Sequence, residues 1–342
     1  MTNLTHFSPG AGCGCKIAPK DLEMILKNSR SEKIFDNLLV GNDSNDDAAV
    51  YDIGNGKAII STTDFFTPIV DNPFDFGRIA ATNSLSDIYA MGGVPIMAIS
   101  ILGWCLEKLS ADIAAQVIAG ARQVCDFVDI PLAGGHSINI SEPIFGLAVT
   151  GIVETNKIKR NNTATKDCIL LLTKPLGTGL VTTAEKRGIV RPADKQQALT
   201  LMTTLNTFGR VISDIEGVKA LTDITGFGLL GHCIEMAEGS HLCAVIDFEN
   251  VPKIEGIDYY IEQKCIPGGT DRNFASYGDK VSPLTDYQKA LLCDPQTSGG
   301  LLIAVEKEAE AVVKNLAVQN NTPLFNIGYL TEKSDGYVVK IF

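Results

Sequence analysis

The chain has 342 residues, 45% hydrophobic and 20% charged, so its length points to two domains and its composition to a globular protein with a real core. With 29 lysines and arginines against 40 aspartates and glutamates, its net charge of −11 argues against general nucleic-acid binding, which needs basic patches to neutralise phosphates. No apolar run approaches the ~20 residues that span a bilayer, no basic-then-apolar leader opens the chain, and nine scattered cysteines make no disulfide framework, so the expectation is a cytoplasmic protein that binds neither membrane nor nucleic acid.

Residues 1–18 contain Gly10-Ala-Gly-Cys-Gly-Cys-Lys16. Glycine lacks the Cβ that restricts φ, so this segment reads as a mobile arm able to carry a reactive group to another site. Cys125, Cys168, Cys243 and Cys293 sit beside apolar residues and read as core; Cys13 and Cys15 do not. Strands are predicted at Asp47–Ile53 and Lys57–Phe66, then a helix over Asp75–Met91 capped by Asp75 and stopped by Gly92-Gly93. Val94–Leu102 reads as a buried strand, Ser110 caps a helix to Phe127, and Pro131–Gly134 and Phe145–Val153 read as strands. The polar, aperiodic stretch from Glu154 to Asp167 suggests a boundary, giving a first domain over 19–156 and a second over 157–342. In the second, strands are expected at Cys168–Thr173, Cys243–Phe248, Gly300–Val305 and Tyr337–Ile341, with helices at Ala193–Ile212, Gly226–Ala237 and Thr285–Leu292. Lys264–Lys280, rich in Gly, Asn and Asp, reads as a long functional loop. The fold class is α/β or α+β.

Polar chemistry concentrates at element ends. Asn45-Asp46-Asp47 precedes a strand and Ser61-Thr-Thr-Asp64 ends the next; Asn83 and Asp87 share a helix face at i, i+4; Thr222-Asp-Ile-Thr-Gly-Phe-Gly228 joins a strand to a helix. Hard oxygen ligands of this kind suit magnesium, which keeps several waters and takes one or two carboxylates plus phosphate oxygens, and this many could hold more than one ion. Each aspartate taken alone reads more readily as a cap, although Asp87 resists that reading because it sits inside a predicted helix, where Asp is disfavoured. Gly134-Gly-His136-Ser137 follows a short strand and allows close approach to a phosphate or ribose. His232 reads as structural, Gly177-Thr-Gly179 as a turn, and neither a P-loop nor a dinucleotide-binding glycine fingerprint is present.

Taken in order, these motifs, with Ser86-Asp-Ile-Tyr-Ala-Met-Gly-Gly93 and Asp294-Pro-Gln-Thr-Ser-Gly-Gly300, resemble those of the selenophosphate synthetase family over nearly the whole chain. The carboxylate and Gly-Phe-Gly motifs recur in the wider aminoimidazole ribonucleotide synthetase-like superfamily; the Gly-Cys-Gly-Cys-Lys arm is the specific part. The resemblance implies a two-domain mixed-sheet fold, a homodimer formed through the first domain, and synthesis of selenophosphate, AMP and phosphate from ATP, selenide and water. The product would supply selenium for selenocysteine and selenouridine. It further implies Mg2+ and K+, and leaves room for a selenium-delivery protein. Asp47, Asp87 and Asp223 would be metal ligands; Lys16, Ser44, Asn45, Asp46, Asp64, Asp87, Gly135, His136 and Ser137 would contact ATP; Cys13 would be the essential thiol beside Lys16. The alternatives are another Mg-ATP enzyme of the superfamily, such as a small-molecule kinase or ATP-dependent synthetase, and a non-enzymatic metal or redox module built on the two arm cysteines.

Overall fold

The computed structural model describes residues 3–8, 10–29, 33–42, 45–333 and 336–342. The first half forms a sheet from β1 (Leu38–Val40), β2 (Ala49–Gly54), β3 (Lys57–Phe66), β4 (Val94–Trp104), β5 (Leu132–Asn139) and β6 (Ile144–Glu154), in the order β1-β2-β3-β6-β4-β5. All pairs are antiparallel except β4 with β5, whose parallel pairing needs a crossover, here the helix Ala111–Phe127. That helix packs on the helix Pro73–Ala90, and two glycines set their separation. A Cβ on Gly77 would lie 1.8 Å from the Val117 carbonyl oxygen, and one on Gly120 would lie 1.9 Å from that of Phe74. The helices cover one face of the sheet. Ala58, Ile60, Thr62, Asp64 and Phe66 of β3 alternate into that covered side. The opposite face is bare and apolar: Phe65, Ile99 and Ile138 are exposed at 46%, 41% and 50%.

The second half forms a sheet from β7 (Ile169–Leu172), β8 (Val218–Asp223), β9 (Leu242–Ile246), β10 (Leu301–Val305), β11 (Phe325–Glu332) and β12 (Val339–Ile341), in the order β12-β9-β11-β7-β10-β8. Its inner strands β7 and β10 are buried throughout, as their unbroken Ile, Leu, Ala and Val runs require. One apolar core runs from Leu4 to Val339 and joins the two halves.

Several elements differ from expectation for local reasons. Asn72, not Asp75, caps the helix Pro73–Ala90, accepting the Asp75 N–H at 3.0 Å. β4 was expected to be buried; half of it faces the bare side. The expected helix over 193–212 breaks into Pro192–Thr203 and Phe208–Ile212, because the intervening backbone serves tertiary contacts. There the buried Asn206 side chain donates to Ser86 Oγ and the Gly299 carbonyl, and Lys174 donates to the Thr204 carbonyl. Much of the expected loop 264–280 is the helix Gly268–Tyr277, and Gly177 opens the helix Thr178–Lys186 instead of closing a turn. The helices Pro19–Asn28, Ile257–Glu262 and Glu310–Gln319 and strand β11 carry no signal that the expected pattern used.

The N-terminal arm is docked, and Cys13 is fully buried, contrary to its expected place outside the core. Gly12 N donates to the Thr67 carbonyl at 3.1 Å, and Cys13 N donates to Thr297 Oγ1 at 3.0 Å, across 284 residues of sequence. The glycines therefore do a second job besides giving reach: they permit close approach. Gly12 has φ +53°, and a Cβ there would stand 2.2 Å from Ile69 Cδ1 and 2.5 Å from Thr297 Oγ1. A left-handed φ costs a residue with a side chain roughly 1–2 kcal/mol even without such clashes. Gly12→Ala is thus expected to lift the arm without unfolding the protein. Labelling of Cys13 by a small maleimide, followed by peptide mass spectrometry, should speed up at least about tenfold, the rate equivalent of 1.4 kcal/mol. An unchanged labelling rate would mean that the fit around Gly12 does not hold the arm down.

Candidate active site

Two spacings that happen to match build the centre of the site. Thr62 and Asp64 are two residues apart on β3, about 6.6 Å, and point to the same face. Asn83 and Asp87 are four apart on the helix above, about 6 Å, and also share a face. Thr62 Oγ1 accordingly donates to Asp87 Oδ2 at 2.5 Å, and Asn83 Nδ2 donates to Asp64 Oδ2 at 2.5 Å. Asn83 Oδ1 accepts the Ser298 N–H at 2.7 Å and lies 3.5 Å from Cys13 Sγ, which donates to it. One amide thus holds the thiol, a carboxylate and the 294–300 loop together. Lys16 Nζ completes the group, 3.6 Å from Asp64 Oδ2.

Asp47 reaches this centre from the start of β2 and Asp223 from the end of β8. Thr222 Oγ1 donates to Asp47 Oδ1 at 2.7 Å, joining the two halves. Asp46 Oδ1 accepts the Asn161 N–H, while the Asn45 carbonyl accepts from Asn161 Nδ2. Burial holds Asp47 and Asp87 well above the usual carboxylate range, and the neighbouring charge of Asp223 adds to the effect on both. Burial also raises Asp223, against contacts with Ser86, His232 and Lys16 that favour its anion. Asp46 is pushed up to about 6, chiefly by burial. Burial works against a charge on Lys16 as well, but the surrounding anions, Asp64 first, prevail and raise its pKa. The lysine does not activate the thiol here: burial, then Asp64, pushes Cys13 up, and Lys16 and Thr297 offset this only in part. In the docked arm burial thus outweighs the lysine three residues away, contrary to expectation.

Among the described residues, Asp46 Oδ2, Asp47 Oδ2 and Asp223 Oδ2 are buried without a hydrogen-bond partner. Orphaned, mutually repelling carboxylate oxygens suit a cation. Among the described residues no three His, Cys, Asp or Glu groups are placed to enclose an ion by themselves. A cavity of about 820 Å³ opens beside the group, polar where Asp46, Asp47 and Thr63 line it and apolar at Leu22, Leu26 and Phe227. Its volume and mixed lining are those of a small-molecule site.

Ser44 lies outside the described residues. Gly135, His136 and Ser137 do not join the carboxylates within one chain. They stand exposed on the edge strand β5, where Gly135 is in register with Ser100, then Leu147, then Asp64, three strands away. His232 Nε2 accepts the Thr225 N–H and the ring stacks on Phe227, so it orders the glycine loop as expected of a structural residue. Four contributors carried no assigned role in the sequence: Thr62, Thr222, Thr297 and Lys174. Thr62, Thr222 and Thr297 lie in motifs singled out above. Lys174 had no local signal; burial lowers it to about 7, and it donates to the Ser298 and Thr204 carbonyls.

The model of the AIR synthase related protein N-terminal domain matches residues 45–153, and that of the C-terminal domain matches 165–341. A selenide, water dikinase of Cronobacter sakazakii is 57% identical over 333 residues, covering 97% of this chain and 96% of the relative. One of Pseudomonas aeruginosa is 57% identical over 330 residues, covering 96% of each. A solved thiamine-monophosphate kinase of Stenotrophomonas maltophilia shares the fold at 20% identity, with a TM-score of 0.65 over 96% of both chains. The docked thiol beside a carboxylate-lined cavity and the extent of these matches lead to one conclusion: the chain belongs to the selenide, water dikinase family, enzymes built on the AIR synthase-related fold.

Proposed function

We propose that this chain makes selenophosphate, AMP and phosphate from ATP, selenide and water. One observation carries this reading: a buried thiol, Cys13, is held by Asn83 within the same group as the Lys16–Asp64 pair and the carboxylates. A kinase of the same fold acting on an oxygen nucleophile has no need of a thiol there. A zinc or redox module on the arm fits poorly, because Cys13 is buried and Cys15 exposed.

In this reading the nucleotide lies in the 820 Å³ cavity with its phosphates toward Asp46 and Asp47, which line it. Asp47, Asp87 and Asp223 would hold magnesium, which would neutralise phosphate charge that carboxylates otherwise repel. Lys16 supplies a further positive charge at the phosphates, and Asn45 and Asp64 border them. The Asn83 amide orients the Cys13 sulfur and the Asp64 carboxylate, and the docked arm excludes water from around the thiol. Phosphoryl transfer asks mainly for such positioning and charge neutralisation. Potassium and a selenium-delivery protein belong to the same reading, as does a cytoplasmic setting; among the described residues, no helix is long and apolar enough to cross a membrane. Residues 1–18, 19–156 and 157–342 serve in it as arm, nucleotide and metal domain, and C-terminal domain.

The bare apolar face of the first sheet is best covered by a second copy. Phe65, Ile99 and Ile138 would otherwise meet water, and exposed contiguous apolar surface marks an interface. Contact of Gly135 to Ser137 with ATP then falls to the neighbouring copy, since three strands separate them from Asp64 in their own chain.

Anaerobic incubation with ATP, magnesium and selenide should give a selenophosphate resonance by phosphorus NMR, with AMP as the final nucleotide. Formation of ADP alone would favour another kinase of the superfamily. Cys13→Ser should lower selenophosphate formation at least about 100-fold while Mg-ATP still raises thermal stability, because a hydroxyl is far harder to ionise than a thiol. Asp87→Asn should remove ATP turnover and leave the fold intact; wild-type rates at low magnesium would refute its place as a ligand. Light scattering at micromolar concentration should give the mass of two chains, and a fully active monomer would rule out the dimer.

A further inference from the structure

The Asn83 amide has two different ends, and what the thiol meets depends on which end faces it. Nδ2 donates to the Asp64 carboxylate, and Oδ1 accepts the Ser298 N–H at 2.7 Å. An ionised carboxylate only accepts and a backbone N–H only donates, so these two neighbours together fix the orientation. Cys13 Sγ then meets the oxygen, at 3.5 Å, and donates to it. The opposite orientation would set the amide nitrogen against the Ser298 N–H, donor against donor. The orientation therefore depends on where the Ser298 N–H points.

That N–H is held by an unfavourable backbone. Ser298 has φ +51°, in the left-handed region that a residue with a side chain keeps only when its surroundings enforce it. Ser298 is fully buried, and its hydroxyl has no partner among the described residues, so its own side chain does not anchor it. Lys174, two residues past the end of β7, does. Its Nζ donates to the Ser298 carbonyl at 2.9 Å and to the Thr204 carbonyl at 2.7 Å. The lysine is 5% exposed, and burial opposes its charge more than the anion of Asp223 favours it. A buried ammonium on neutral carbonyls is costly, and an apolar side chain would fill the same space with less penalty. The arrangement makes sense if the peptide it holds matters. The residue before Ser298 meets the arm as well: Thr297 Oγ1 accepts the Cys13 N–H at 3.0 Å.

We propose that Lys174 is a positioning residue for Cys13: by pinning Ser298 in its left-handed conformation it keeps the Ser298 N–H on Asn83, turns the amide oxygen toward the sulfur, and holds Thr297 under the arm. It acts through Ser298 and Asn83, not on a substrate. Its bearing on catalysis rests on the function proposed above; its bearing on the seat of the arm does not.

The seat of the arm can be read without turnover. Lys174→Met keeps the length of the side chain and removes the donor. Labelling of Cys13 by a small maleimide, followed by peptide mass spectrometry, should then speed up about tenfold, because Ser298 is free to relax and Thr297 moves with it. Adding Ser298→Gly should bring the rate back to within about threefold of the parent, since glycine keeps a positive φ without an anchor. A lysine that only fills the core would show no such rescue. Should Lys174→Met not fold by itself, the double variant decides: Ser298→Gly should restore its thermal transition, and a double variant that stays unfolded overturns the proposal. With the active enzyme, Lys174→Met should lower kcat for selenophosphate about tenfold and leave KM for ATP within about twofold, and Ser298→Gly should recover part of the loss. Unchanged labelling or an unchanged kcat in Lys174→Met, or no recovery on adding Ser298→Gly, overturns the positioning role. A parent protein that makes no selenophosphate overturns the proposed function instead, and the labelling rates then decide the role of Lys174 by themselves.

Discussion

The mutual repulsion of buried carboxylates governs this molecule. Asp47 precedes a strand of the first sheet, Asp223 ends a strand of the second and Asp87 lies on a helix; burial raises all three, the charge of Asp223 adds to the effect on Asp47 and Asp87, and that of Asp64 to the effect on Asp223. A fold would not retain such a group for stability, since uncompensated buried charge is costly. The surrounding structure relieves it piecemeal. Thr62, Thr222 and Asn83 give hydrogen bonds to Asp87, Asp47 and Asp64, and Lys16 brings an ammonium on the arm.

The same repulsion explains why the arm closes here. Its lysine is drawn to Asp64, and the thiol three residues earlier is carried into contact with Asn83. The backbone between needs room that only glycine leaves: Gly12 against Ile69 and Thr297, Gly14 against Pro295, and Gly226 against the Cys13 carbonyl. The arm is thus tied to the first half at Thr67 and to the second at Thr297, while its charge is balanced in between. Burial and the nearby Asp64 push the pKa of the thiol up in this arrangement.

Legibility varied with the range of the interactions involved. β3 appears at Lys57–Phe66 as expected, because its alternation records which face meets the helices. The pairing of Asn83 with Asp87 on one helix face was equally plain from their spacing, and both do meet β3. The helix Gly268–Tyr277 was hidden by its glycines, which serve the approach of Gly269 to Pro295 and the arm. The break at 204–207 was hidden because Asn206 and Lys174 spend it on partners about 90 to 120 residues away or across the core. Thr297 stood in a quoted motif, but nothing local says that its hydroxyl accepts the Cys13 amide.

By itself the sequence determined the chemistry present and its local geometry: which residues carry carboxylates, a thiol and an ammonium, and which pairs share a strand or helix face, since 2.0 and 3.6 residue periods are properties of the chain. Only the tertiary structure decided which of these groups meet. It brought Asp47, Asp87 and Asp223 together, buried Cys13, and left Gly135 to Ser137 on a distant edge. It also let burial and Asp64 outweigh the effect expected of Lys16 on the thiol. Proton affinity depends on burial and on every charge within a few ångströms, and chain separation measures neither.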